Sequence, residues 1–145
     1  MNIEDFNETI YKLYDIGLTN QSLLNSDQRH AFYYLDFIYS FEMGGFLYNT
    51  SPANSNDNFF IPYVDCWRFF GLDDLADKVE EYQNLYVKAL RIYEGKKETD
   101  FKRIKKDVGL DKLEEELDGK IEIVYKENRT WKWLEDNVDK LKIVE

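Results

Sequence analysis

Apolar residues recur at intervals of three and four along most of this chain, the spacing of one face of an α-helix. Ile3, Phe6, Ile10 and Leu13 make the first stripe and predict a helix over residues 3–16, with Gly17 as its stop. The polar stretch "LTNQSLLNSDQ" then reads as a connector, with Ser26 or Asp27 as N-cap of the next helix. That helix, "RHAFYYLDFIYSFE" over residues 29–42, carries aromatics nearly all round, so it belongs at the centre of the fold. Its charged members Asp36 and Glu42 then need partners or an exposed edge. A third helix resumes near Phe60, with Pro62 in its first turn, and ends at Gly71. The clearest seam follows: Leu75, Val79, Tyr82, Tyr86, Ala89 and Tyr93, closed by Gly95.

The last third is patterned differently. Residues 96–107, "KKETDFKRIKKD", are locally basic. Leu110, Leu113 and Leu117 predict a charged helix that ends at Asp118-Gly119. In "KIEIVYKE", Ile121, Ile123 and Tyr125 alternate as a strand does. A lone strand in a helical domain has no partner, so the segment reads as helix or extended chain. "TWKWLEDNVDKLK" closes the chain as a helix, with Thr130 as candidate N-cap. The whole predicts an all-α fold: one compact domain over residues 1–145, a bundle of about six helices.

The pair Gly44-Gly45 interrupts helical sequence before "FLYNTSPANSNDN". Glycine costs about 1 kcal/mol inside a helix relative to alanine but reaches positive φ freely, so the pair is a natural terminator. Phe46 and Tyr48 can fold back on the turn, and Asn49, Ser51 and Pro52 continue the turn chemistry.

Charge sharpens the picture. The 145 residues hold 29 Asp and Glu against 19 Lys and Arg, a net of −10. Residues 1–95 carry 15 acids and 6 bases, whereas residues 96–145 carry 14 and 13. The excess acid therefore belongs to the first four helices. Such a balance disfavours direct nucleic-acid binding, which needs cations to displace phosphate counterions, and favours a basic partner. The start "MNIEDFNETI" lacks a basic and an apolar region of a signal peptide, and no apolar run could span a bilayer, so a cytoplasmic protein is expected. The aromatic share of 17% also leaves room for an apolar face compatible with a homodimer.

Enzyme chemistry finds little support. The single histidine, His30, and the single cysteine, Cys66, lie far apart in sequence, and an ordinary surface or capping histidine is the plainer reading. No phosphate-binding glycine loop occurs. Asn54, Asn56 and Asn58 echo a calcium loop but lack its sixth-position glycine and its acidic twelfth ligand, so no cofactor or metal is expected. The acids that stand out are Asp73, Asp74, Asp77, Glu80 and Glu81. On a helix, positions 73, 77 and 80 share one face, with carboxylates on the order of 5–6 Å apart, a scale comparable to phosphates along a strand. Acids that favour a helix N-terminus on a solvated face explain the same residues more simply, and Lys78 interrupts the row.

"FYYLDFIYSFEMGGFLYNTS" together with "VDCWRFFGLDDLADKVEEY" resembles a bacterial family of small acidic helical proteins identified as DNA mimics, over about residues 28–93. Glu42, Gly44, Gly45, Phe46, Tyr48 and Asn49 match its Glu-x-Gly-Gly-Phe-x-aromatic-Asn core, and Gly71 matches the end of its next helix. The resemblance implies a helical fold and a non-catalytic role: an acidic surface offered to a DNA-binding regulator in competition with DNA. Many relatives have no assigned function. The motif itself is expected to be structural, and the basic run 96–106 must lie away from the acidic face. Two other readings stay open: an immunity protein that neutralises a toxin such as a nuclease, and a hydrolase with an unrecognised site.

Overall fold

A computed structural model describes residues 2–44, 58–94 and 100–144. Eight α-helices form among the described residues, and no strand: α1 (Ile3–Thr19), α2 (Ser26–Gly44), α3 (Ile61–Phe69), α4 (Asp73–Tyr93), α5 (Phe101–Asp107), α6 (Leu110–Glu127), α7 (Arg129–Asp136) and α8 (Val138–Leu141). The all-α class holds, with more helices than the six expected. The difference is the short α5 in the basic run, and a closing helix split in two at Asn137.

Several boundaries move for identifiable reasons. Gly17 does not stop α1, which continues to Thr19. Its role is close approach: the Phe32 ring of α2 occupies the space a β-carbon would need. The cap of α2 is neither Ser26 nor Asp27. Asn25 Oδ1 accepts from the Gln28 amide at 2.9 Å, and Gln28 Oε1 accepts from the Asn25 amide at 2.8 Å, a reciprocal capping box. Pro62 falls in the first turn of α3 as expected. Gly71, at φ +74°, ends α3 through two bonds: its own N–H to the Arg68 carbonyl at 3.0 Å and the Leu72 N–H to the Trp67 carbonyl at 2.9 Å.

The largest departure is α6, which runs through Asp118-Gly119 to Glu127. The seam Leu110, Leu113, Leu117 simply continues to Ile121, all four buried, while Ile123 and Tyr125 face outward. The apparent alternation was a helical period seen over too short a window. Asn128, at φ +58°, breaks α6 from α7, so Thr130 is a buried residue inside α7 and not its cap. Gly44 is the last residue of α2, whereas Gly45, Phe46, Tyr48, Asn49 and Gly95 lie outside the described residues.

α3 lies between α2 and α4, and α4 in turn packs on α5 and α6; α1 closes over α2 and α8. Trp67, Tyr82 and Tyr86 are fully buried at the centre. Phe37 meets the Trp67 ring edge-on at 5.1 Å, and Phe60 stands edge-on to Tyr82 and Tyr86. Polar side chains stitch the layers where they are buried. Gln83 of α4 accepts from the Phe60 amide at 2.9 Å, and Gln28 of α2 donates to the Lys142 carbonyl at 3.0 Å, anchoring the chain end. No helix among the described residues is long and apolar enough to cross a membrane.

Candidate functional site

The α4 carboxylates stand where the sequence pattern placed them, on the exposed side of an amphipathic helix. Their surroundings were only partly foreseen. The sharp corner at Gly71 brings Arg68 of α3 alongside the first turns of α4. Its Nη2 lies 2.8 Å from Asp77 Oδ1 and 3.8 Å from Glu80 Oε2, and its Nη1 lies 4.0 Å from Asp73 Oδ1. The bond that Arg68 donates to Asp77 leads in holding the guanidinium above its usual pKa. One cation thus gathers the three carboxylates of the 73–77–80 face.

Glu81 belongs to a second cluster on the α6 side of the helix. Lys78 Nζ sits 3.5 Å from Glu81 Oε2 and 3.3 Å from Glu116 Oε2 of α6, and the bond to Glu116 leads in raising the Lys78 pKa. Asp74 joins neither cluster. It lines a cleft of about 350 Å³ between the start of α4 and the end of α6, together with Lys120 and Arg129. The five predicted residues therefore divide three, one and one. All five remain exposed, the side chains of Asp73 and Asp77 being 73% and 66% accessible. That exposure decides their standing: surface pairs of this kind are worth about 0–1 kcal/mol, so a partner's cations can replace Arg68 or Lys78 at little cost.

Two carboxylates of a different kind are tied into the fold, Asp36 half-buried and Glu114 buried. Asp36 Oδ2 accepts from Tyr63 at 2.6 Å and Oδ1 from Tyr14 at 3.2 Å, joining α1, α2 and α3. Burial, with the Asp36 charge adding, pushes the Tyr14 phenol up to about 12 and raises Tyr63 as well. Glu114 of α6, 3% exposed, receives the Tyr82 hydroxyl at 2.6 Å and Lys105 of α5 at 2.6 Å. Burial raises the Glu114 pKa against the pull of those two donors. Lys105 thus spends its charge inside the fold, while Lys102, Arg103 and Lys106 of the same basic run stay exposed.

His30 and Cys66 form no dyad. The buried Cys66 Sγ donates to the His30 backbone carbonyl at 3.3 Å, and burial pushes its thiol pKa well up. The imidazole stacks on Phe69 at 4.4 Å, and burial lowers its pKa. Among the described residues no three His, Cys, Asp or Glu side chains converge as a metal site. Glu42, the first residue of the glycine-pair motif, accepts from Tyr125 of α6 at 2.8 Å, which ties the end of α2 to the C-terminal helices.

No protein-family model matches the chain, and neither the curated proteins nor the solved structures contain a match.

The acids and aromatics of these clusters were legible in sequence, but Arg68 and Glu116 were not assigned to them. No local pattern marks Arg68 as their partner, because the pairing depends on the corner that Gly71 makes between α3 and α4.

Proposed function

We propose that this protein is a non-catalytic, cytoplasmic binding protein that presents its α4 face to a basic DNA-binding protein and competes with DNA for it. The observation that supports the reading most is the composition of that face. Five exposed carboxylates, Asp73, Asp77, Glu80, Glu81 and Glu116, share two bridging cations, Arg68 and Lys78, and Asp74 stands exposed beside them. Lys120 and Arg129 moderate it only at the Asp74 end. Arg68 stands within 4.0 Å of three of the acids, so the fold brings these carboxylates together on one face before a partner arrives. Ordering before contact lowers the cost of binding. A partner rich in Lys and Arg is drawn in by the field and completes the pairing left open.

The test replaces Asp73, Asp77 and Glu80 by Asn, Asn and Gln. The triple variant is expected to keep its helical circular dichroism and to lose capture of the basic partner from cytosol at low salt. Capture at full strength by the variant would remove α4 from the reading. A captured toxin that duplex DNA does not displace would turn the reading to immunity.

A further inference from the structure

A second site lies apart from the α4 acids, in a cleft of about 520 Å³ between α2 and the junction of α6 with α7. Its walls are Tyr34 and Tyr39 of α2, Tyr125 at the end of α6 and Trp131 of α7, with Glu42 among them. Each of three rings is braced from behind by a ring outside the cleft. Tyr39 rests edge-on against Tyr14 at 5.0 Å, Tyr34 against Trp67 at 5.9 Å, and Trp131 against Phe6 at 5.5 Å. Among the described residues no ring of the cleft packs on another, so the four aromatic walls stand apart around open space.

The polar groups point to the charge of what would fill it. Tyr34 is 3% exposed and forms a fixed wall, its ring edge-on to Trp67. Burial raises its pKa, with Cys66 in the core and then Tyr125, Glu42 and Tyr39 of the cleft adding to it. Glu42 brings the carboxylate, held by the Tyr125 hydroxyl. Lys126 also borders the cleft, but its ammonium is paired with Glu122 at 3.0 Å, which leaves Glu42 without a lysine of its own.

We propose that this cleft binds an organic cation, specifically a quaternary methylammonium group. Aromatic faces attract a cation through their quadrupoles, and the attraction is greatest for a weakly hydrated one. A bare ammonium needs several acceptors to replace its water, whereas four of the eight lining residues are aromatic and Glu42 is the one carboxylate among them. N-Methyl groups fit against such rings, and Glu42 balances the charge. The group reaches the cleft on a free choline-type molecule or on a trimethylated lysine of a peptide; the chemistry recognised is the same.

The experiment titrates the full-length protein with choline and with its neutral isostere 3,3-dimethylbutan-1-ol, reading Trp fluorescence and the N-methyl proton shift. Saturable binding of choline with an upfield shift is expected, with the isostere about tenfold weaker or worse. Glu42→Gln and Tyr125→Leu should each weaken choline severalfold, and Tyr125 is exposed enough for its loss to leave the fold intact, as thermal melting will show. A parallel titration with trimethyllysine and unmodified-lysine peptides separates the two sources. Equal binding of choline and the neutral isostere, no saturable binding of choline or the trimethyllysine peptide, or binding unchanged in both variants would overturn the proposal.

Discussion

Asp77 and Glu114 are both carboxylates paired with a cation, and they serve opposite ends. Glu114 is almost fully buried, between Tyr82 and Lys105, where every partner is fixed by packing. Asp77 stands in solvent and shares Arg68 with Asp73 and Glu80. In the interior, partners match the group they serve and removing one leaves a charge stranded in low dielectric. On the surface, acids outnumber cations, water screens the pairs, and the surplus is available to another molecule. Burial and stoichiometry, and not residue type, separate the structural carboxylates from the candidate functional ones.

The sharpest way to break that contrast is to strand the buried charge. Lys105→Met should cost about 3–5 kcal/mol, read by urea unfolding at pH 7. The loss should shrink on acidification. Glu114 already has a raised folded pKa, so its contribution to stability is present below its unfolded value and is lost as pH rises through the folded one. Removing Lys105 widens that interval. Protonating Glu114 should therefore bring variant and parent closer together, and a pH-independent difference would show that the carboxylate is not the group left stranded.

Tyr63→Phe should cost less, about 1–3 kcal/mol, because it deprives Asp36 of one of two phenol donors. The same cluster sets an alkaline limit. Tyr14 is pushed up to about 12, so the folded state keeps a proton that the unfolded chain loses near pH 10. The stability this provides is intact below pH 10 and fades as pH rises through about 12. An alkaline unfolding midpoint that stays put in Tyr14→Phe would contradict this.

The surface variants lie at the other extreme. Asp73→Asn, Asp77→Asn and Glu80→Gln together should move the melting midpoint by no more than about 2 °C, as expected for exposed groups. A larger fall would show the row to be structural. The smallest and most discriminating change is Arg68→Gln, which leaves the acids but removes the cation that gathers them. If net charge governs capture, binding at low salt should strengthen; if the ordered row matters more, it should weaken. A binding curve at two salt concentrations separates the two, and no change at all would place the partner elsewhere.

The helices were legible because their apolar residues repeat over several turns, as in the six-residue seam of α4. Capping was less so. Asn25 and Gln28 work as a pair, whereas Ser26 and Asp27 each look like a cap taken singly. Gly17 and Gly119 both resembled stops, yet one admits the Phe32 ring and the other sits exposed in a helix held by its buried seam. Gly71 ends its helix because the backbone turns left-handed there, and sequence alone does not carry that distinction. The acid row on α4 was legible in full. Its division between Arg68 and Lys78 depends on how α3, α4 and α6 meet, which no local pattern encodes.

The most direct measurement is capture from cytosol on immobilised protein at low salt, with the bound material eluted first by duplex DNA and then by salt. Recovery of one DNA-binding protein that duplex DNA releases, and that the Asp73, Asp77, Glu80 triple variant does not retain, is the predicted result. Retention of the same protein by the triple variant, or failure of DNA to displace it, would contradict mimicry by the α4 face.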